Sequence, residues 1–214
     1  MGQTNVEYYV NGINFADYGV DVSGSTGVTS KLEEKDSLTV DWDNYHGETV
    51  SRDIIYYKPR TIKLSCIIDA YSYDDFVNSY RNFLSQFEKP GTQRLKIDVG
   101  SKPLVYEVYA KDAVDISKKW DPDHMVGTFD IKLIEPEPVK RVLQATGSAS
   151  ITITTSKRVN IYWGDGTYTY DVYGTKSLTH SYSDSSVHEI IITGVMECIS
   201  SLSHNCTLVW NRLQ

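Results

Sequence analysis

The chain has 214 residues, 40% hydrophobic and 23% charged, which is enough apolar mass for one ordinary domain or two small ones. No run approaches the ~18 apolar residues that span a bilayer, and the start Met1-Gly2-Gln3-Thr4-Asn5-Val6-Glu7 lacks both a secretory signal and the hydroxyl that myristoylation needs at position 6. Net charge is −7, with 16 Lys/Arg against 23 Asp/Glu up to residue 140 and 5 against 5 beyond it, an acidic balance that disfavours binding nucleic acid from outside.

Taken in chain order, Val6 to Val10, Asn11-Gly12 and Ile13 to Phe15 predict a two-residue hairpin, because Asn-Gly accepts positive φ. Leu38 to Trp42 predicts a short strand. Thr61 to Asp69 alternates, with Ile62, Leu64, Cys66 and Ile68 on one face, and Leu104 to Lys111 places Leu104, Tyr106, Val108 and Ala110 together. Between them Phe76, Val77, Tyr80, Phe83, Leu84 and Phe87 form a helical stripe. Ser72 and Asp75 predict a capping box, and Lys89-Pro90-Gly91 a stop. Phe129, Ile131 and Leu133 mark a last strand before Glu135.

Prolines at 136 and 138 end the ladder there, since neither can donate to a central strand. The predicted organisation is a mainly β (α+β) unit over 1–140, a β-sandwich with one amphipathic helix; then a linker over 141–149; then a small all-β sandwich over 150–214. The last has strands at Ile151–Ile153, Val159–Trp163, Thr167–Tyr173, Leu178–Tyr182 and Glu189–Thr193. On this division, a cut near Gln144 leaves the first unit folded. Sixteen tyrosines against five phenylalanines suit strands and interfaces alike.

Candidate chemistry is thin. Cys66, Cys198 and Cys206 are too few and too odd in number for a disulfide framework, which points to a reducing compartment. Cys198, His204 and Cys206, with His188 upstream, contain zinc-type ligands, yet Cys-x7-Cys is not a knuckle spacing; two small apolar cysteines in a terminal strand are the preferred alternative. Ser23-Gly24-Ser25-Thr26-Gly27 lacks the Lys-Ser/Thr ending of a phosphate loop and predicts a mobile loop. Asp41, Asp43 and Glu48 around Trp42 and Tyr45 are the one candidate carboxylate set for a glycosidase, set against an exposed acidic turn. Asp121-Pro122-Asp123 predicts a turn. Trp163-Gly164-Asp165-Gly166-Thr167 is hairpin chemistry, with calcium at Asp165 as its alternative. No catalytic residue, metal ligand or cofactor site is assigned, and the chain is expected not to be an enzyme.

Two resemblances follow. Tyr8-Tyr9-Val10-Asn11-Gly12-Ile13-Asn14-Phe15, Tyr18-Gly19-Val20, Asp41-Trp42-Asp43-Asn44-Tyr45-His46-Gly47, Tyr56-Tyr57-Lys58-Pro59-Arg60 and Phe87-Glu88-Lys89-Pro90-Gly91-Thr92 together resemble distal tail proteins of phages and Bacteroides-type prophages. Trp163-Gly164-Asp165-Gly166-Thr167, His180-Ser181-Tyr182 and Ile190 to Gly194 resemble the polycystic-kidney-disease-like sandwich, a spacer or adhesion module. The first resemblance implies a structural virion component, assembled in the bacterial cytoplasm. It implies a hexameric ring joining tail tube to tail tip or baseplate, with DNA passing through but no sequence-specific nucleic-acid binding and no membrane partner. The alternative from another class is a carbohydrate-binding or adhesion module using Trp163, Tyr168 and Tyr170. An acidic-site hydrolase at Asp41 and Glu48 stands third.

Overall fold

A computed structural model describes residues 6–121 and 124–213. The turn expected at Asp121-Pro122-Asp123 falls largely outside them, as do the first five residues. The first unit holds β1 (Glu7–Val10), β2 (Ile13–Asn14), β3 (Val20–Thr26), β4 (Thr39–Asp41), β5 (Glu48–Val50), β6 (Arg60–Ala70), α1 (Tyr73–Ser85), β7 (Gln93–Asp98), β8 (Leu104–Ala110), β9 (Ile116–Asp121) and β10 (His124–Glu135). The second holds β11 (Lys140–Thr146), β12 (Ser148–Tyr162), β13 (Tyr168–Ser181), β14 (Val187–Gly194), β15 (Ile199–His204) and β16 (Thr207–Leu213). The fold is mainly β with one α-helix, as the sequence predicts.

Local chemistry explains the first unit. Asn11 and Gly12 take φ of 52° and 83°, the positive values of the predicted hairpin turn between β1 and β2. Strand β6 buries Ile62, Leu64, Cys66, Ile68 and Ala70, alternate residues as a pleated strand requires. It pairs antiparallel with β10 along its whole length and with β3 on its other edge. The sheet order is β2-β1-β7-β8-β10-β6-β3, and β8 and β10 share only the rungs Leu133–Ala110 and Ile134–Tyr109. At that narrow junction the sheet folds over, so both halves feed one core containing Val10, Leu95, Tyr106 and Val108 from one side and Leu64, Ile68, Phe129 and Ile131 from the other.

Helix α1 closes that core. The Ser72 hydroxyl accepts from the Asp75 amide at 3.1 Å, the N-cap half of the predicted capping box, and donates to the Asp75 carboxylate at 2.6 Å. Phe83 is fully buried, with Phe15, Phe87 and Phe129 ring centroids 4.8, 5.5 and 5.8 Å away. Burying one such ring contributes about 2–3 kcal/mol. The helix ends at Ser85, before Lys89-Pro90-Gly91: the Gln86 and Phe87 amides turn back to the carbonyls of Phe83 and Leu84 and tighten the last turn.

Three sequence expectations are corrected here. Residues 141–146 of the expected linker, with Lys140 before them, form β11, which pairs with β14 on one side and β16 on the other. Only Pro136 to Val139 lie between the sheets. Ser23 to Thr26 is no mobile loop but the end of β3, bulged between Val22 and Gly24 against β6. The expected strand pairs Ile151–Ile153 with Val159–Trp163, and Thr167–Tyr173 with Leu178–Tyr182, run together into the long strands β12 and β13; their register shifts between Thr155 and Ile161.

The units stack directly. Val105 of β8 points away from the first core and packs with Val142, Tyr162, Ile191 and Val209 of the second unit. Strands β8, β11 and β14 are therefore buried on both faces: Leu143, Ile190 and Ile192 face the second core while Val142 and Ile191 face β8. Arg94 of β7 donates to Glu107 at 2.6 Å and to the Glu189 carbonyl, and the Trp210 indole donates to the Pro103 carbonyl at 2.9 Å.

Candidate assembly surface

Residues 33 to 58 form a ribbon on the first unit. Its base is fastened by a Glu34–Tyr57 bridge, by amide bonds from Lys35 to Tyr56 and from Lys58 to Glu33, both 2.8 Å, and by ion pairs from Arg52 to Glu34 (2.9 Å) and Lys58 to Glu33 (2.5 Å). Its outer part is the hairpin β4–β5, a two-stranded sheet that pairs with no other described strand. On it Leu38, Trp42 and Tyr45 are 73%, 55% and 71% exposed, and Val50 and Tyr56 are exposed as well. From Asp36 to Val50 the ribbon carries Asp36, Asp41, Asp43 and Glu48 and no Lys or Arg. A lone two-stranded hairpin is marginal in water, and exposed aromatics rimmed by charge are the composition of a surface that a partner covers.

The carboxylates considered for hydrolysis lie on this ribbon. Asp41 and Glu48 face each other as a cross-strand pair, and Asp43 follows in the turn. All three are exposed. Geometrically they form the exposed acidic turn.

At the other candidate motif, Gly164 and Gly166 take φ of 99° and 88°, and a Cβ on Gly164 would press on the Glu189 backbone. One oxygen of Asp165 accepts from the Thr167 amide (3.0 Å) and hydroxyl (2.5 Å); the other meets His180 Nε2 at 2.7 Å. Burial alone would raise this carboxyl, but the bonds from Thr167 and His180 hold it down to about 2. Both oxygens are thus engaged inside the turn. The His180 ring stacks on Trp163, 13° from parallel at 4.9 Å, and the Tyr182 hydroxyl donates to the Trp163 carbonyl at 2.8 Å. The motif builds the turn between β12 and β13.

Trp163 is consequently buried, and of the three rings considered for sugar stacking only Tyr168 and Tyr170 remain on the surface, stacked on each other at 4.2 Å along the edge strand β13. The described residues hold no group of three or more His, Cys, Asp or Glu placed to share a metal. His188 pairs with Asp184 at 2.8 Å, and His204 Nδ1 sits 3.0 Å from the Cys206 carbonyl. Cys198 and Cys206 lie in a 3-10 turn and in the β15–β16 connection rather than in the expected terminal strand. Burial pushes the Cys66 thiol up to about 12, which leaves it an inert core side chain. No described helix is long and apolar enough to cross a membrane.

What the sequence did not single out is the apolar part of the ribbon beyond Trp42 and Tyr45, and a buried ionic cluster of Arg60, Glu135 and Lys140 between the units.

No family model matches the chain, and no curated protein sequence does either. Among solved structures it is similar to the SPP1 Dit protein, described as a paradigm of hub adsorption apparatus in phages infecting Gram-positive hosts; that likeness has a TM-score of 0.49 and 12% identity over 89% of this chain and 80% of the other. It is also similar to a chain of the phage P2 baseplate in its activated conformation with calcium, at a TM-score of 0.47 and 7% identity over 95% and 98% of the two chains.

Proposed function

We propose that this chain is a structural subunit of a phage or prophage tail, of the distal tail type, that closes with further copies into a ring between tail tube and tail tip. The carrying observation is the β4–β5 ribbon, which spends three large apolar side chains on solvent and pairs with no other described strand. A ring needs two different patches per subunit, one reaching and one receiving, and a projecting ribbon suits the reaching role. The sequence resemblance supports the same assignment, because its quoted segments include the β1–β2 hairpin, the ribbon tip and the turn that follows α1. Six copies, tube and tip proteins as neighbours, and a place in the virion tail after assembly in the host cytoplasm are the finer parts of the proposal. The excess carboxylate of the first unit would keep a DNA passage from adhering. Catalysis forms no part of the proposal.

The test is to image tails assembled with this chain and with a chain lacking residues 38–50. Ring density on the tail axis with the intact chain, lost with the shortened one, is the expected outcome. A single copy, or a position in a lateral fibre, would count against it. The exposed Tyr168–Tyr170 pair favours a second reading, glycan binding, and a glycan array that returned specific binding abolished by Tyr170→Ala would support that instead.

A further inference from the structure

Arg60, Glu135 and Lys140 are 4%, 1% and 0% exposed, and they meet where the two units join. Arg60 and Glu135 form the last rung between β6 and β10, while Lys140 opens β11 opposite Thr193 and Leu213. Arg60 Nε donates to Glu135 at 3.0 Å, and Nη1 donates to the carbonyls of Gly27 and Val28 at 2.9 and 2.6 Å. Lys140 Nζ donates to the other Glu135 oxygen and lies 4.1 Å from the centre of the Tyr106 ring, with the Arg60 guanidinium 5.6 Å from the same ring. Arg60 Nη2 has no partner among the described residues.

The connection between Glu135 and Lys140 is fastened in its middle too. Pro136 and Pro138 fix φ, and the Glu137 carboxylate accepts from Asn160 at 3.0 and 3.1 Å, from the Tyr162 hydroxyl at 3.1 Å and from the Thr193 hydroxyl at 2.8 Å. Swinging the second unit away would break buried polar contacts on both sides of this connection. The cluster is also unbalanced, with two cations against one anion. A residual buried charge is costly, and the face of Tyr106 offsets part of that cost.

We propose that Arg60, Glu135 and Lys140 form a buried lock that holds the second unit on the first, and that the proton on Lys140 sets how tightly it holds. The proposal stands apart from the tail assignment and does not rest on it. Lys140 is faced by Glu135 from β10, Arg60 from β6, Arg94 from β7 and Tyr106 from β8. Burial pushes its ammonium down to about 8 from an ordinary 10.5; Glu135 pulls it back up, and Arg60 and Arg94 add to the lowering. Between those two values the opened or unfolded chain binds more protons than the closed one, so the closed state gains stability as pH rises. From pH 7 to pH 9 that gain is about tenfold in the folding equilibrium.

The experiment uses the full chain and two variants, Lys140→Met and Glu135→Gln, with thermal unfolding and amide exchange at pH 7 and pH 9. Lys140→Met removes the unbalanced cation and leaves Arg60 paired with Glu135. It should fold, and it should lack the tenfold gain seen in the parent. Glu135→Gln leaves two cations without an anion, so amides of β8 and β11 should exchange at least tenfold faster at pH 7 while those of α1 stay as before. An identical pH response in the parent and Lys140→Met would overturn the proton dependence. Unchanged exchange in β8 and β11 of Glu135→Gln would overturn the lock. If Glu135→Gln fails to fold, protection of the β8 and β11 amides, corrected for the base-catalysed rise in the intrinsic exchange rate, decides in the parent and Lys140→Met: greater protection at pH 9 than at pH 7 in the parent alone supports the proposal.

Discussion

Asp165 shows how much one side chain can be asked to do in a turn. Its carboxylate satisfies the Thr167 amide and hydroxyl and holds His180 flat on Trp163. Because its folded pKa lies near 2, below the ordinary 3.8, its contribution is fully present above about pH 4 and is lost as the pH falls through 2. Asp165→Asn should therefore lower stability by on the order of 1–2 kcal/mol at neutral pH, less than full linkage because the site is partly exposed. The parent and variant unfolding curves should converge as the pH approaches 2; a constant gap would show that the cost is not electrostatic. Gly27 is constrained differently: φ is +81° and a Cβ would run into the Thr61 carbonyl, beside the carbonyls that receive Arg60. Gly27→Ala should cost about 2–4 kcal/mol in chemical denaturation. The sequence did carry a signal for the ionic cluster. Arg60 keeps step with Ile62, Leu64 and Cys66, and Glu135 with Phe129, Ile131 and Leu133, so both fall on the buried face of their strands. A charge in phase with a core stripe implies a buried partner, but the partner of Glu135, Lys140, lies beyond two prolines, where the strand pattern has ended.

Among the elements, α1 was the most legible, because its stripe and its cap are both local. Ser72→Ala should cost about 1 kcal/mol through the lost cap, and Phe83→Ala about 3–5 kcal/mol, since its ring touches those of Phe15, Phe87 and Phe129. Thermal melts that put Ser72→Ala below Phe83→Ala would reverse the account of what holds the helix down. The strands were legible where one face meets water and the other a core, as in β6. They were less so in β8, β11 and β14, where both faces are covered: Val105 and Tyr106 are both buried, as are Ile190, Ile191 and Ile192. An unbroken apolar run is the mark of such a strand; Ile190-Ile191-Ile192 carries it, while Glu107 in β8 breaks it through its pairing with Arg94.

For the molecule as a whole, the boundary expected at residues 141–149 falls on β11, and the two units share a buried face. Cutting at Gln144 would strip β11 of β14 and β16 and uncover Val105 of β8. The fragment ending there should elute as aggregate in size-exclusion chromatography; a monomer with full helix signal would show that the stacked layers are separable after all. Composition and charge change near this point, but neither measures whether two sheets share a face, and that contact joins residues more than thirty apart in sequence, such as Val105 and Val142. The ribbon, by contrast, is fastened at its base, and its acidic tip offers an accessible cleavage position after Glu48. A single cut there should give two bands when the protein is denatured and one undivided particle when it is not, because residues 6–48 and 49–213 remain interleaved through β1 with β7 and β3 with β6. If the ribbon docks on a neighbouring copy, as proposed, clipping would serve as a clock for assembly: the free subunit would be nicked quickly and the docked one spared.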